Sequence, residues 1–300
     1  MKVLVTGGLG FVGSHLVDYL RDELDYDVTV IDNLCSESSS RDYMRDDVEY
    51  WIDDIRNLMN AKYVQHFAEG YRFDVIYHLG ALARIQPSFK DPLTYLSINI
   101  QGTATVCEYA RHNDARIVYA GSSSAYAGHF LNPYAFAKYT GEQVCQLYHE
   151  VYGMSTVAAR FFNVYGDRQP TKGTYATVVG VFERLTEKEK PLTVTGDGEQ
   201  RRDFTHISDI VSGFVALGQK DWSKNDTTWI FNIGTGKNYS INELAKMFGG
   251  EIVYVPKRPG EAKNTLADSS LLRNHTNWTA KVSLEDYVSE FMENCKQPTN

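Results

Sequence analysis

An α/β fold built on a Rossmann-type doubly wound parallel sheet is predicted by three observations on this 300-residue chain. Apolar runs of strand length alternate with helical stretches through the first half, the pattern of consecutive β–α units. The first run leads into a glycine-rich turn and then a helical stretch, Thr6-Gly7-Gly8-Leu9-Gly10-Phe11-Val12-Gly13. The second run ends in Asp32, 19 residues after Gly13. After Asn163 the elements become shorter and more polar, which predicts a smaller, interleaved C-terminal α/β substrate domain. The expected division is residues 1–165 plus about 204–237 for the sheet domain, and about 166–203 plus 238–300 for the second.

Taken in order, Val3–Thr6, Val28–Asp32, Val48–Ile52, Val75–His78, Ile117–Gly121 and Val157–Arg160 read as buried strands. Their near-continuous apolar runs suit a parallel sheet covered on both faces. Gly13–Leu24, Leu58–Glu69, Asn99–Asn113 and Pro133–Tyr152 read as the helices between them. Asn132 is a good N-cap, and Pro133 suits the first helical position. In the second half Ala176–Lys188 reads as a helix ending in the solvated run Glu187–Lys190. Leu192–Thr195 is a strand before a glycine turn. Asp209–Gly218 is a helix capped by Ser208, Trp229–Ile233 a strand, Ile241–Phe248 a helix capped by Ser240, and Val282–Glu293 a closing helix.

In this strand–turn–helix context the glycines have distinct tasks. Gly7 permits the tight turn, Gly10 lets backbone N–H groups approach a pyrophosphate, and Gly13 lets the helix pack on the strand. The spacing is GxxGxxG, which by itself also fits a glycine turn in another α/β protein. Asp32 adds the discriminating feature: a carboxylate there accepts ribose hydroxyls and repels a 2′-phosphate. Asn33 and Leu34 follow it, with no arginine beside it. The cofactor expected is therefore NAD.

A second constellation follows the fifth strand, which ends in Ser122-Ser123-Ser124. Tyr134 and Lys138 then fall one turn apart on one helix face. A phenol titrates near pH 10, and a neighbouring ammonium favours the phenolate. The pair predicts a general base tuned toward neutral pH, with the Ser122 hydroxyl on the same substrate oxygen. A tyrosine and lysine at this spacing also occur on ordinary amphipathic helices, where the ring simply packs. The glycine loop, Asp32 and the serines weigh against that.

Composition narrows the class. With 30 basic and 38 acidic residues the net charge is −8, which disfavours nucleic-acid and anionic-membrane surfaces. No apolar run reaches the roughly 20 residues of a membrane span, and the N-terminus does not read as a signal peptide. A cytoplasmic enzyme is expected. Cys35, Cys107, Cys145 and Cys295 are far apart in sequence and read as buried free thiols. No metal spacing occurs, so no metal is expected. The sequons at Asn225, Asn238, Asn274 and Asn277 read as chance matches.

Over nearly its whole length the chain resembles the extended short-chain dehydrogenase/reductase family, in its nucleotide-sugar epimerase/dehydratase branch. Thr6–Gly13 matches the family's cofactor loop, including Phe11 and Val12. Asp54-Ile55 matches the acidic–aliphatic pair near adenine, His78-Leu79-Gly80-Ala81 the segment beside the cofactor, and Asn99-Ile100-Gln101-Gly102-Thr103 the central-helix asparagine motif. The resemblance implies catalytic roles for Ser122, Tyr134 and Lys138. It implies cofactor contacts for Gly7, Gly10, Phe11, Val12, Gly13, Asp32, Asn33, Asp54, Ile55, Leu79, Gly80, Ala81, Asn99 and Phe161 as well. Arg160–Gly166, Gly196–Phe204 and Arg258-Pro259-Gly260-Glu261 resemble its sugar-nucleotide motifs. They imply substrate contacts for Asn163, Arg202, Arg258 and Glu261, with Ser122 and Ser123 on the sugar. Two arginine forks suit a diphosphate, although surface arginines are the plainer alternative.

Within that branch, 4,6-dehydratases carry Asp-Glu after the catalytic hydroxyl, and decarboxylases carry a Glu in the same stretch. Here Ser123 and Ser124 stand there. The resemblance then implies 4-epimerisation of a nucleotide-diphospho-sugar through a 4-keto intermediate, of the UDP-glucose, UDP-N-acetylglucosamine or UDP-glucuronate type. A GDP- or dTDP-sugar epimerase, a reductase, a decarboxylase or a non-catalytic nucleotide-binding protein are the alternatives. Two departures bear on specificity. Only 11 residues separate Ser122 from Tyr134, fewer than the branch usually has. Thr265 aligns where a bulky Tyr excludes N-acetylated sugars. A homodimer is implied through Asn99–Asn113 and Pro133–Tyr152, whose apolar stripe (Val106, Tyr109, Val144, Leu147, Tyr148) is also compatible with core. Surface-polysaccharide precursor synthesis is the usual setting.

Overall fold

The computed structural model describes residues 1–36, 39–222 and 229–296, so the sequon at Asn225 lies outside the described residues. Its centre is a seven-stranded, all-parallel sheet in the order β11-β6-β5-β4-β1-β2-β3. The strands are β1 (Lys2–Thr6), β2 (Asp27–Ile31), β3 (Glu49–Trp51), β4 (Val75–His78), β5 (Arg116–Ser122), β6 (Thr156–Phe161) and β11 (Ile230–Ile233). The chain winds outward from β1 through β2 to β3, then crosses to β4 on the other side. That reversal opens a crevice beyond the carboxyl ends of β1 and β4, where ligands of such sheets bind.

The alternation of side chains along β1 shows why both faces are covered. Val3 and Val5 enter one core with Leu16, Leu20 and Phe214, while Leu4 enters the other with Ile76, Tyr109 and Ile117. Helix Pro133–Tyr152 has the bounds the sequence predicts. The Asn132 side chain accepts from the Ala135 N–H at 2.7 Å, and Gly153 ends the helix in the left-handed region (φ 70°).

The second half adds three two-stranded pairs. They are β7 (Val164–Tyr165) with β10 (Thr205–His206), β9 (Arg201–Asp203) with β12 (Asn238–Ser240), and β8 (Leu192–Thr195) with β13 (Ile252–Val255). A third core of Phe182, Leu192, Val194, Leu244, Phe248 and Val288 lies among them. The return to the main sheet at β11 interleaves the two halves in the chain.

Several local expectations change. The helix cap before Ile207–Gly218 is His206, whose ring accepts from the Ser208 N–H at 3.3 Å; Ser208 itself lies inside the helix. The helix expected from Asn99 starts at Gly102, after a π-type turn over Ser97–Gln101. Short helices at Ile85–Lys90, Pro92–Leu96 and Ser270–Thr276 carry no strong periodicity in sequence. Cys107 and Cys145 are buried, but Cys35 and Cys295 are exposed. The apolar stripe divides: Val106 and Tyr109 are core, whereas Leu147 is 54 % exposed. Among the described residues no helix is long and apolar enough to cross a membrane.

Candidate active site

A cleft of about 790 Å³ opens beyond the sheet's carboxyl edge and runs to the second-half strands. Every site residue named from the sequence lines it except Asn99.

The first wall is the glycine turn. Gly7 adopts φ +73°, and a Cβ on Gly13 would lie 2.0 Å from the Gly7 carbonyl oxygen. Helix Phe11–Asp22 begins at Gly10 with no side-chain cap and no acidic residue in its first turn. Its first N–H groups are therefore free to bind an anion. Asp32, 6 % exposed, accepts from the Leu9 N–H (3.0 Å) and the Leu34 N–H (2.8 Å). Burial pushes its carboxyl up, and those two N–H groups oppose the shift. Each oxygen keeps a lone pair for a ribose hydroxyl. Asn33 donates to Asp54 (3.2 Å), and the Arg56 guanidinium holds Asp54 below the usual carboxylate range. Uncapped N–H groups, close glycine packing and an acidic strand end fit a dinucleotide.

The second wall is the loop after β4. Buried His78 ties it to the interior: Nδ1 meets Thr6 Oγ1 at 2.7 Å, and Nε2 meets Thr103 Oγ1 at 3.0 Å. Thr103 donates onward to the Asn99 carbonyl (2.7 Å), and Thr6 Oγ1 accepts from the Gly80 N–H (2.9 Å). This network assigns the proton to Nε2, and burial pushes the imidazole down to about 3. Asn99 is not among the residues that line the cleft. It stands behind the wall, where its amide accepts from the Leu82 N–H (2.8 Å) and donates to the Leu82 carbonyl (2.9 Å). A buried amide satisfies both ends best by bracketing one residue's backbone.

The third group is Ser122, Tyr134 and Lys138. Ser122 Oγ accepts from the Ser124 N–H at 3.2 Å, which leaves its proton for another acceptor. Tyr134 is half-buried, and its backbone N–H is anchored by Ser88 Oγ at 3.2 Å. Burial pushes its phenol up; a hydrogen bond with Ser122 and the Arg84 charge pull it down. The Lys138 Nζ lies 4.4 Å from the Tyr119 ring centroid, over its face. Burial pushes Lys138 down to about 8, with Glu142 opposing. Glu142 is in turn bound at both oxygens by Arg160, at 2.9 and 2.7 Å. Sequence reasoning missed Arg84, Glu142 and the Arg160 pairing. Glu142 lay one turn beyond Lys138 as the only available signal.

The fourth wall comes from the second half. The pleat of β9 separates two neighbouring arginines. Arg201 turns to Asn238 and Glu243, while buried Arg202 faces the cleft with Glu261 at 3.8 Å. Asp203 fastens this strand, accepting from the N–H groups of Thr235, Gly236 and Ala267 at 2.9–3.1 Å. The Arg258–Glu261 segment is tied to the first half by Gln86 to the Pro259 carbonyl (2.9 Å) and Asn132 to the Gly260 carbonyl (3.1 Å). Arg258 is exposed on the rim. Thr265 is buried, and its Oγ1 has no partner among the described residues.

The model of the NAD dependent epimerase/dehydratase family matches residues 3–234. The chain is a member of that family. A putative UDP-glucose 4-epimerase of Methanocaldococcus jannaschii is 33% identical, over 95% of each chain. The UDP-glucose 4-epimerase of Thermotoga maritima, solved with UDP-glucose, superposes with a TM-score of 0.88 at 28% identity over 98% of each chain. The UDP-glucuronic acid 4-epimerase of Bacillus cereus, solved with UDP-glucuronic acid and NAD, superposes with a TM-score of 0.84 at 28% identity over 99% of each chain. NAD is thus the cofactor of this epimerase/dehydratase family member, as Asp32 predicts.

Proposed function

We propose that this chain is an NAD-dependent 4-epimerase of a UDP-linked sugar, with residues 1–165 and about 204–237 forming the cofactor half. The observation that carries this reading is that Ser122, Tyr134 and Lys138 line one cleft, with serines and no carboxylate at positions 123 and 124. The bound cofactor supplies a reversible hydride acceptor. Tyr134 Oη takes the proton of the sugar 4-hydroxyl as C4 is oxidised to a ketone, and returns it when C4 is reduced on the other face. The proton and hydride both come back, so no net redox change occurs. Ser122, already accepting from an N–H, donates to the same sugar oxygen and holds it as its charge changes. Lys138 holds the nicotinamide ribose, with Asp32 on the other ribose. Arg202 and Arg258 bind the diphosphate, Glu261 the nucleotide ribose, and Asn163, Ser123 and Thr265 the rest of the substrate. Leu147, Val151 and Tyr152 leave an apolar face on helix Pro133–Tyr152 for a homodimer.

The test is to incubate the protein and NAD⁺ separately with UDP-glucose, UDP-N-acetylglucosamine and UDP-glucuronate, following anomeric protons by NMR. A new 4-epimer without net NADH is expected. Three unchanged sugars, or NADH accumulating in step with product, would overturn the reading.

A further inference from the structure

Arg84 has a backbone that an arginine rarely adopts. It follows β4 with φ +84° and ψ +142°, a region held almost entirely by glycine. The strain is maintained by fixed neighbours. Asn99 brackets Leu82 on one side, and the Tyr95 hydroxyl donates to the Ala83 carbonyl at 2.6 Å. Strain kept in place at a cleft points to a demand on the side chain, since glycine would satisfy the backbone alone.

Arg84 lines the cleft together with Ser122 and Tyr134. Among the described residues no carboxylate pairs with it, although Arg202, Arg160 and Arg56 each have one. Burial pulls its pKa below the usual arginine value, the direction expected of a cation lacking a counter-ion. A guanidinium desolvated without an anion is costly, and a ligand anion that completes it gains charge-assisted hydrogen bonds. The diphosphate already has Arg202 and Arg258 on the second-half wall. Arg84 lines the same cleft as the phenol that handles the sugar hydroxyl.

We propose that Arg84 receives a negatively charged group on the sugar ring, so that the substrate class is a nucleotide-diphospho sugar acid with a carboxylate at C6 rather than a neutral hexose. The proposal rests on the reading of this cleft as a nucleotide-sugar 4-epimerase site.

The test compares UDP-glucuronate with UDP-glucose on the NAD-loaded enzyme, by kcat/KM and by calorimetric binding. The variants are Arg84→Gln, Arg84→Lys and Arg84→Gly. Wild type is expected to favour the uronate at least 30-fold. Arg84→Gln should lower that ratio at least 30-fold, and Arg84→Lys should retain part of it. Arg84→Gly relieves the backbone, so it should raise Tm while lowering the ratio as Gln does, which separates loss of recognition from loss of folding. An unchanged ratio in the Gln and Gly variants, or a wild type without uronate preference, would overturn the proposal. Epimerisation of UDP-glucose with that result leaves the epimerase reading standing. Arg84-dependent uronate binding without any epimerisation would keep the charge assignment and remove the reaction.

Discussion

Arg160 grips both carboxylate oxygens of Glu142, at 2.9 and 2.7 Å, one turn along the helix from Lys138. The Glu142 side chain is fully buried and that of Arg160 is 11% exposed. Removing one partner of such a pair leaves an uncompensated charge, at a cost of about 3–5 kcal/mol. Glu142→Ala is therefore expected to lose that much in urea unfolding. A loss under about 1 kcal/mol would show that water or another group replaces the carboxylate.

His78 predicts acid sensitivity. Its folded pKa, pushed down to about 3, lies below its ordinary value of 6.5. The unfolded state therefore binds the proton more readily, and stability falls as pH drops from 6.5 toward 3, by about 1.4 kcal/mol per pH unit from this group. His78→Gln loses the bonds to Thr6 and Thr103 and is less stable at pH 7, but the gap to wild type should narrow through that window. Parallel stability curves for the two proteins would refute the assignment.

Gly13 is set by contact. A Cβ 2.0 Å from a carbonyl oxygen cannot be accommodated without moving the turn or the helix. Gly13→Ala is expected to cost about 1–3 kcal/mol, the usual range for overpacking. It should also weaken NAD binding at least tenfold in a fluorescence titration. Unaltered NAD affinity would contradict the placement of the dinucleotide.

Asp32 sets cofactor choice. With the carboxylate replaced in Asp32→Asn, repulsion of a 2′-phosphate disappears. The ratio of NAD to NADP affinity should fall at least tenfold, measured by the same titration. Retention of the wild-type ratio would assign the discrimination to another residue.

The sheet was legible because its central strands are short runs buried on both faces, as Val3-Leu4-Val5 shows. Helix Pro133–Tyr152 was legible to the residue because Asn132, Pro133 and Gly153 mark its ends chemically. The pairs β7–β10 and β9–β12 were not, since strands of two or three residues leave no periodicity. Arg84, Glu142 and the bracketing role of Asn99 were also hidden. Each depends on a backbone angle or on a partner distant in sequence, such as Arg160 for Glu142.

The most direct test of the 4-keto route uses a UDP-sugar carrying deuterium at C4. The account predicts a 4-epimer that retains the deuterium at C4, with no label lost to solvent, and Tyr134→Phe slowing the conversion by about 10²–10⁴-fold. Deuterium washed out into water, or a Tyr134→Phe variant of normal rate, would contradict hydride transfer at C4 with Tyr134 as its base.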